Sequence, residues 1–235
     1  FLLLALPFFL NACFMNSSYE TVSGNGKVVE ETRDLAGFTG VKVSAGIDVL
    51  LSQADDFSVR VEADENLIAL IETRIDGDLL EVGTDQVNIR NAKAKRVHVC
   101  LPELRKLRIN SAGDCIGQNA FECGDLQLDI NSAGDLRLEL EAKHIDLNIS
   151  SSGDCRLSGA CDHFDADLSS AGDLDAYDLV AKVVEVSVSS AGDARVHATD
   201  EISMQASSAG SIYYRGNPKV VLSNASSGGE IVKRD

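Results

Sequence analysis

Five aspartates occupy one place in a recurring tetrapeptide: Asp114, Asp135, Asp154, Asp173 and Asp193 each close a Ser-x-Gly-Asp motif. Carboxylates repeated at one position of a stacked structure sit about 5 Å apart and offer oxygen ligands, so calcium is the cofactor such a ladder would take. The plainer chemistry is structural. Each Asp bonds turn amides and faces water, and salt screens its repulsion over roughly 8 to 10 Å. No other cofactor is expected.

A second set of candidate ligands lies between the motifs. His144 and His163 each stand nine residues before a motif glycine, Gly153 and Gly172, which stacks them in adjacent units. Cys161 precedes His163 by two residues and is expected to point the same way. Thiolate and imidazole bind zinc, so His144, Cys161 and His163 form an alternative metal site, one ligand short of a closed set. Cys123 and Cys161 are equivalent in the repeat, as are Cys115 and Cys155. Equivalent cysteines two units apart are roughly 10 Å from each other, too far to bridge. That leaves disulfides Cys115–Cys123 and Cys155–Cys161 around one corner, or free thiols buried in a core.

The elements that position these residues follow from the repeat itself. Aligned on the glycine, the motif runs "SAGD" at 111–114, 132–135, 170–173 and 190–193, "SSGD" at 151–154, "SAGS" at 208–211 and "SGGE" at 227–230, in steps of 21, 19, 19, 20, 18 and 19 residues. Before each turn the residues alternate, as in "LQLDI", "IDLNI", "FDADL" and "VEVSV", and period two means strand. Two residues past the glycine each unit supplies another small or apolar side chain: Cys115, Leu136, Cys155, Leu174, Ala194, Ile212 and Ile231.

A unit this short closes no core alone. Stacking units about 4.8 Å apart buries the apolar faces in one column and repeats the same turn in every coil. The expected fold is therefore all-β, a parallel β-helix (right-handed solenoid) with coils of about 18 to 21 residues. A sandwich or propeller would not require identical turn chemistry at each unit. Residues 108–235 form the regular coils, and 26–107 read as longer, irregular coils of the same single domain. "DENLIALIETRI" at 64–75 has helical spacing with an Asp to cap it, so a short helix is expected there.

Net charge and ends bound the partners. Of 235 residues, 37 are acidic and 21 basic, a net charge of -16, which opposes nucleic-acid binding. The opening "FLLLALPFFL" is too short to span a bilayer and resembles the apolar part of a secretory signal. "LNAC" follows and resembles a bacterial lipobox, with Asn11 departing from the usual residue there. Residues 1–12 are then a partial lipoprotein signal, Cys13 the lipid-modified anchor to a membrane, and 13–25 a flexible tether. The other five cysteines are odd in number and would lie in an envelope compartment where disulfides persist.

Three longer stretches together resemble a known family: "RDLAGFTGVKVSAGIDVLLSQ", then "VRVEADENLIALIETRIDGDLLEV" before the serial "SAGD" turns, and last "YRGNPKVVLSNASSGGEI". These are similar to the putative auto-transporter adhesin head GIN domain family of Bacteroidetes envelopes. The resemblance implies a β-helical envelope lipoprotein, lipid-anchored at the outer membrane, and supplies no catalytic residues. No phosphate loop, "GxSxG" elbow or "HExxH" is present, so catalysis is not expected. The expected function is display of a β-helix surface for adhesion to glycan or protein. The alternatives are a periplasm-facing structural or regulatory envelope module and, further off, a polysaccharide-active β-helix enzyme. Self-association is expected at the coil ends, where strand edges go unpaired.

Overall fold

The computed structural model describes residues 19–131, 133–150 and 152–234. Its parallel strands stack as a β-solenoid of about seven turns. The four longest strands, Leu136–Ile149, Cys155–Leu168, Leu174–Ser189 and Asp193–Ser207, each pass through a whole coil between motif turns. Ladder register carries one residue type upward. Ile109 pairs with Ile130, then in turn with Ile149, Leu168, Val188 and Ala206, all buried. On the other side of the turn Val49, Cys115, Leu136, Cys155, Leu174, Ala194, Ile212 and Ile231 form the matching row. Burying one such leucine or isoleucine contributes about 1.5–3 kcal/mol, so the column supplies the main drive to stack.

Each coil also turns at a second corner that carries no repeated glycine. There two outward residues separate inward ones: Lys143 and His144 lie between Ala142 and the buried Ile145, Asp162 and His163 between the buried Cys161 and Phe164. Strict alternation therefore fails at this corner, and a residue two places away points elsewhere.

The N-terminal portion departs from the expected irregular coils. Gly40–Val43 and Asp48–Gln53 form a first coil, directly beneath Lys106–Ile109 and Cys115–Gly117. The intervening chain folds under that coil and ends both walls in antiparallel strands. On one wall Lys95–Leu101 is followed by Ser58–Asp64 and then Val28–Arg33. On the other, Leu79–Thr84 is followed by Ile71–Asp76. The helix expected over 64–75 shrinks to a single 3-10 turn, Ile68–Leu70. Gly77-Asp78 explains the difference. Asp76 pairs with Leu79 across this two-residue hairpin turn, whose first residue Gly77 takes φ +63°, and this glycine-first turn signal outweighs loose helical spacing.

Asp64 fastens this end. Its buried carboxylate accepts the amides of Gly26 at 2.8 Å, Lys93 at 3.0 Å and Ala94 at 3.1 Å. Burial pushes its pKa up, but those three amides outweigh burial and hold it below its ordinary value of 3.8. A depressed carboxylate stabilises the fold above the ordinary value, and that contribution is lost as pH falls through the depressed one. Asp64→Asn is expected to lower the urea midpoint at neutral pH, with the gap from the parent closing below about pH 4. A gap independent of pH would mean that shape, rather than charge, fastens the end.

At the opposite end Val220–Ala225 pairs with Glu201–Ala206, and Glu230–Lys233 with Ser211–Tyr214. Val220, Val221 and Leu222 are left 42%, 45% and 61% exposed.

Candidate functional site

The Ser-x-Gly-Asp turns lie one above another, and their polar groups bond between coils as much as within them. Asp48 Oδ1 accepts the amide of Asp114 at 3.2 Å, and Asp173 Oδ1 that of Asp193 at 3.0 Å. The carbonyls of Asp114, Asp135, Asp154 and Asp173 accept the amides of Val49, Cys115, Leu136 and Cys155 at 2.7–2.9 Å. Serine hydroxyls do the same: Ser170 Oγ donates to the Ser150 carbonyl at 2.7 Å, and Ser190 Oγ to the Ser169 carbonyl at 3.2 Å. Glycine is required because coils nearly touch there. A Cβ on Gly113 would lie 2.1 Å from the Ile47 carbonyl oxygen, and one on Gly192 would lie 2.4 Å from that of Gly172. At neither is φ positive, so close approach, the second of glycine's two uses, decides these corners.

The acidic row has a neighbour that spacing alone did not flag. Three residues past the glycine, Arg137, Arg156, Asp175 and Arg195 stack in register. Arg156 reaches Asp175 at 3.3 Å, and Arg195 reaches Asp193 at 3.4 Å. Burial raises the Asp114 carboxyl above its ordinary pKa, as do Asp135 and Asp48, while Arg137 pulls it back. Burial likewise raises Asp154, with Asp135 and Asp173 adding to the effect and Arg156 opposing it. Among the described residues no three His, Cys, Asp or Glu side chains converge as a metal-binding group. Thermal unfolding in calcium and then in chelator is expected to give one midpoint, because arginines flank the row and inter-coil amides occupy its carbonyls. A higher midpoint in calcium would make the ladder a cation site coupled to folding.

The structure does not bring Cys161 to the histidines. Cys161 points into the column, whereas His163 is exposed beyond the second corner. The His144 and His163 rings lie tilted at 53° with centroids 6.2 Å apart, and His144 Nε2 lies 2.7 Å from Asp165 Oδ2. Cys115, Cys123, Cys155 and Cys161 are free thiols in this structure, as is Cys100. Cys115 and Cys155 sit in the row of Leu136 and Leu174, while Cys123 and Cys161 share another row with Ala142 and Ala181. Burial pushes the Cys115 and Cys155 thiols far up. It pushes Cys161 up to about 12, with Asp162 and Asp165 adding, and Cys123 up to about 11, with Glu103 adding. Thiols so protonated are poor ligands and poor nucleophiles. Cys13 lies outside the described residues.

One constellation escaped the sequence reading altogether. Tyr177, Arg195, Tyr213, Arg215 and Arg234, drawn from successive coils near the C-terminal end, line an open pocket of about 440 Å³. The Arg215 guanidinium lies 4.0 Å from the Tyr177 ring centroid, while Arg234 and Arg195 lie 5.0 and 5.7 Å from that of Tyr213. A break in register between Ala176 and Val180 pushes Tyr177 out of the ladder, and His197 Nδ1 meets the Tyr177 carbonyl at 3.3 Å. No motif marks this break. The available signal was the run of Tyr and Arg at equivalent turn offsets.

Turn geometry, stacked parallel rows and an antiparallel N-terminal cap define a β-solenoid with repeated glycine corners. The chain belongs to the family described as "Putative auto-transporter adhesin, head GIN domain", whose model matches residues 37–218. Three crystal structures share the fold. A "putative adhesin" from Bacteroides fragilis superposes with a TM-score of 0.81 at 22% identity, over 91% of this chain and 100% of that one. A "Putative lipid binding protein" from Parabacteroides distasonis gives 0.77 at 19% identity, over 92% and 100%. A "putative adhesin" from Parabacteroides merdae gives 0.71 at 19%, again over 92% and 100%. No curated protein matches the chain.

Proposed function

We propose that this chain is a noncatalytic envelope lipoprotein, anchored through Cys13 at the outer membrane, whose solenoid displays a surface for adhesion to glycan or protein. The observation that carries this reading is the outer wall of the coils. Outward side chains stand in register from coil to coil, as in Arg137, Arg156, Asp175 and Arg195, and so form long polar rows on a stiff support. Such a wall suits an extended partner, because each coil repeats the contact of the one below. Membership in a family described as adhesin supports the same reading.

Two experiments test it. Cys13→Ser is expected to move the protein from the membrane to the soluble fraction and to abolish labelling with a fatty-acid probe. Protease treatment of intact cells is expected to remove the displayed domain, and the purified chain to bind a glycan or cell-surface protein on broad arrays. Complete protection on intact cells would place the protein in the periplasm as a structural module. An absence of any array partner would remove the adhesin reading.

A further inference from the structure

We infer that the pocket lined by Tyr177, Arg195, Tyr213, Arg215 and Arg234 binds a carboxylated polysaccharide, a chain of uronic acids, with the arginines forking its carboxylates. This deepens the adhesin reading and rests on it for the choice of glycan.

The charge distribution singles the pocket out. In a protein of net charge -16, three guanidinium groups gather around two phenol rings. Arg195 has Asp193 at 3.4 Å. Among the described residues Arg215 and Arg234 have no carboxylate within ion-pair distance, and the buried Arg215 Nε has no hydrogen-bond partner. An unsatisfied buried donor on a cation costs free energy, and a ligand that accepts from it recovers that cost. Burial raises the Tyr177 hydroxyl, while Arg215, Arg195 and Arg234 all pull it down, so the three cations act on one spot.

The geometry also prepares the arginines. A guanidinium stacked on a ring uses its flat face and keeps its N–H donors in the plane, free to fork an oxyanion. Tyr177 orients Arg215 at 4.0 Å, so that side chain has less entropy to lose on binding, while Arg234 and Arg195 lie within cation–π range of Tyr213. The cations come from three consecutive coils. Arg195 is in register with Tyr213, and the Arg234 amide bonds the Tyr214 carbonyl at 2.8 Å, one coil further on. Arg215 and Arg234 stand at equivalent places in adjacent coils, which rise by about 4.8 Å, so an extended polymer that carries a carboxylate on each sugar can present one to each.

Charge also argues against a lipid surface. The net negative field of the protein opposes approach to a plane of anionic headgroups, while a local pocket still captures a single extended chain.

The test is calorimetric titration of the purified protein with hexagalacturonate, its methyl ester and neutral cellohexaose, alongside vesicles of phosphatidylglycerol. Binding is expected for hexagalacturonate alone. The double variant Arg215→Gln/Arg234→Gln is expected to weaken it at least about tenfold, and Arg215→Lys/Arg234→Lys to weaken it less, since charge survives but the fork does not. Arg74→Gln/Arg105→Gln removes the same charge at the N-terminal end of the solenoid, outside the outward row, and is expected to change affinity under about twofold. Unfolding midpoints of all variants confirm that each is folded. Equal weakening by both glutamine doubles, equal binding of the ester, or binding to vesicles without hexagalacturonate would overturn the assignment. Binding of only a neutral glycan or a surface protein would leave adhesion standing and remove this site. Variant-sensitive hexagalacturonate binding by a protein sheltered from protease would keep the site and remove surface adhesion.

Discussion

Phe164→Ala is expected to lower the unfolding free energy by about 3–5 kcal/mol, the cost of emptying a large buried site that relaxes only in part. Phe164 is 1% exposed and stands in the column between Ile145 and Val184, its register partners in the coils below and above. Truncation therefore weakens two coil interfaces at once. In a solenoid each coil is held by its neighbours alone, so damage in the middle has a second consequence. The N-terminal and C-terminal halves are expected to unfold in separate steps, where the parent unfolds in one. Urea denaturation followed by far-ultraviolet circular dichroism reads both effects. A loss under about 1 kcal/mol with a single transition would mean that the column closes around the gap.

The same column explains what the sequence made legible. Inward residues at fixed offsets from each glycine pointed to the stacked rows, because a repeat forces every coil to solve one packing problem in one way. Where coils stop being identical, the signal fades. The second corner has no repeated glycine, and two outward residues such as Asp162 and His163 replace the expected alternation, which is why Cys161 and His163 were placed on one face. The hairpin turn at Gly77-Asp78 was written in the sequence but overshadowed by the helical spacing of "LIALI". The Tyr177–Arg234 pocket was hidden for a different reason. It is assembled from residues in successive coils, and the break between Ala176 and Val180 shifts the ladder just where the pocket forms. Local period analysis cannot follow a contact that depends on such a shift. The aspartates show the converse. Their spacing was read correctly, yet the chemistry around them depends on the arginine row two residues further along.

Gly159→Ala is expected to be among the most costly methyl groups that can be added to the described chain, and the comparison with two other glycines separates the reasons. Gly159 adopts φ +113°, outside the range L-residues favour, and a Cβ there would lie 2.0 Å from the Leu140 carbonyl oxygen in the coil below. Strain at such a φ costs about 1–3 kcal/mol. The clash adds to it, because the Leu140 carbonyl can yield only by moving backbone that the parallel ladder holds in register. Together these predict a loss of about 3–5 kcal/mol, enough to unfold the middle coils at modest urea. Gly77 has a similar conformational demand, φ +63°, but open space around it, so Gly77→Ala is expected to lose only about 1 kcal/mol. Gly124 has neither a positive φ nor a neighbour within 4 Å of a Cβ, and Gly124→Ala is expected to be neutral or to gain up to about 1 kcal/mol. If all three alanines cost the same, backbone entropy rather than contact between coils would account for the glycines. If Gly159→Ala alone collapses the midpoint, stacking distance is the constraint that keeps this chain writing glycine where its coils meet.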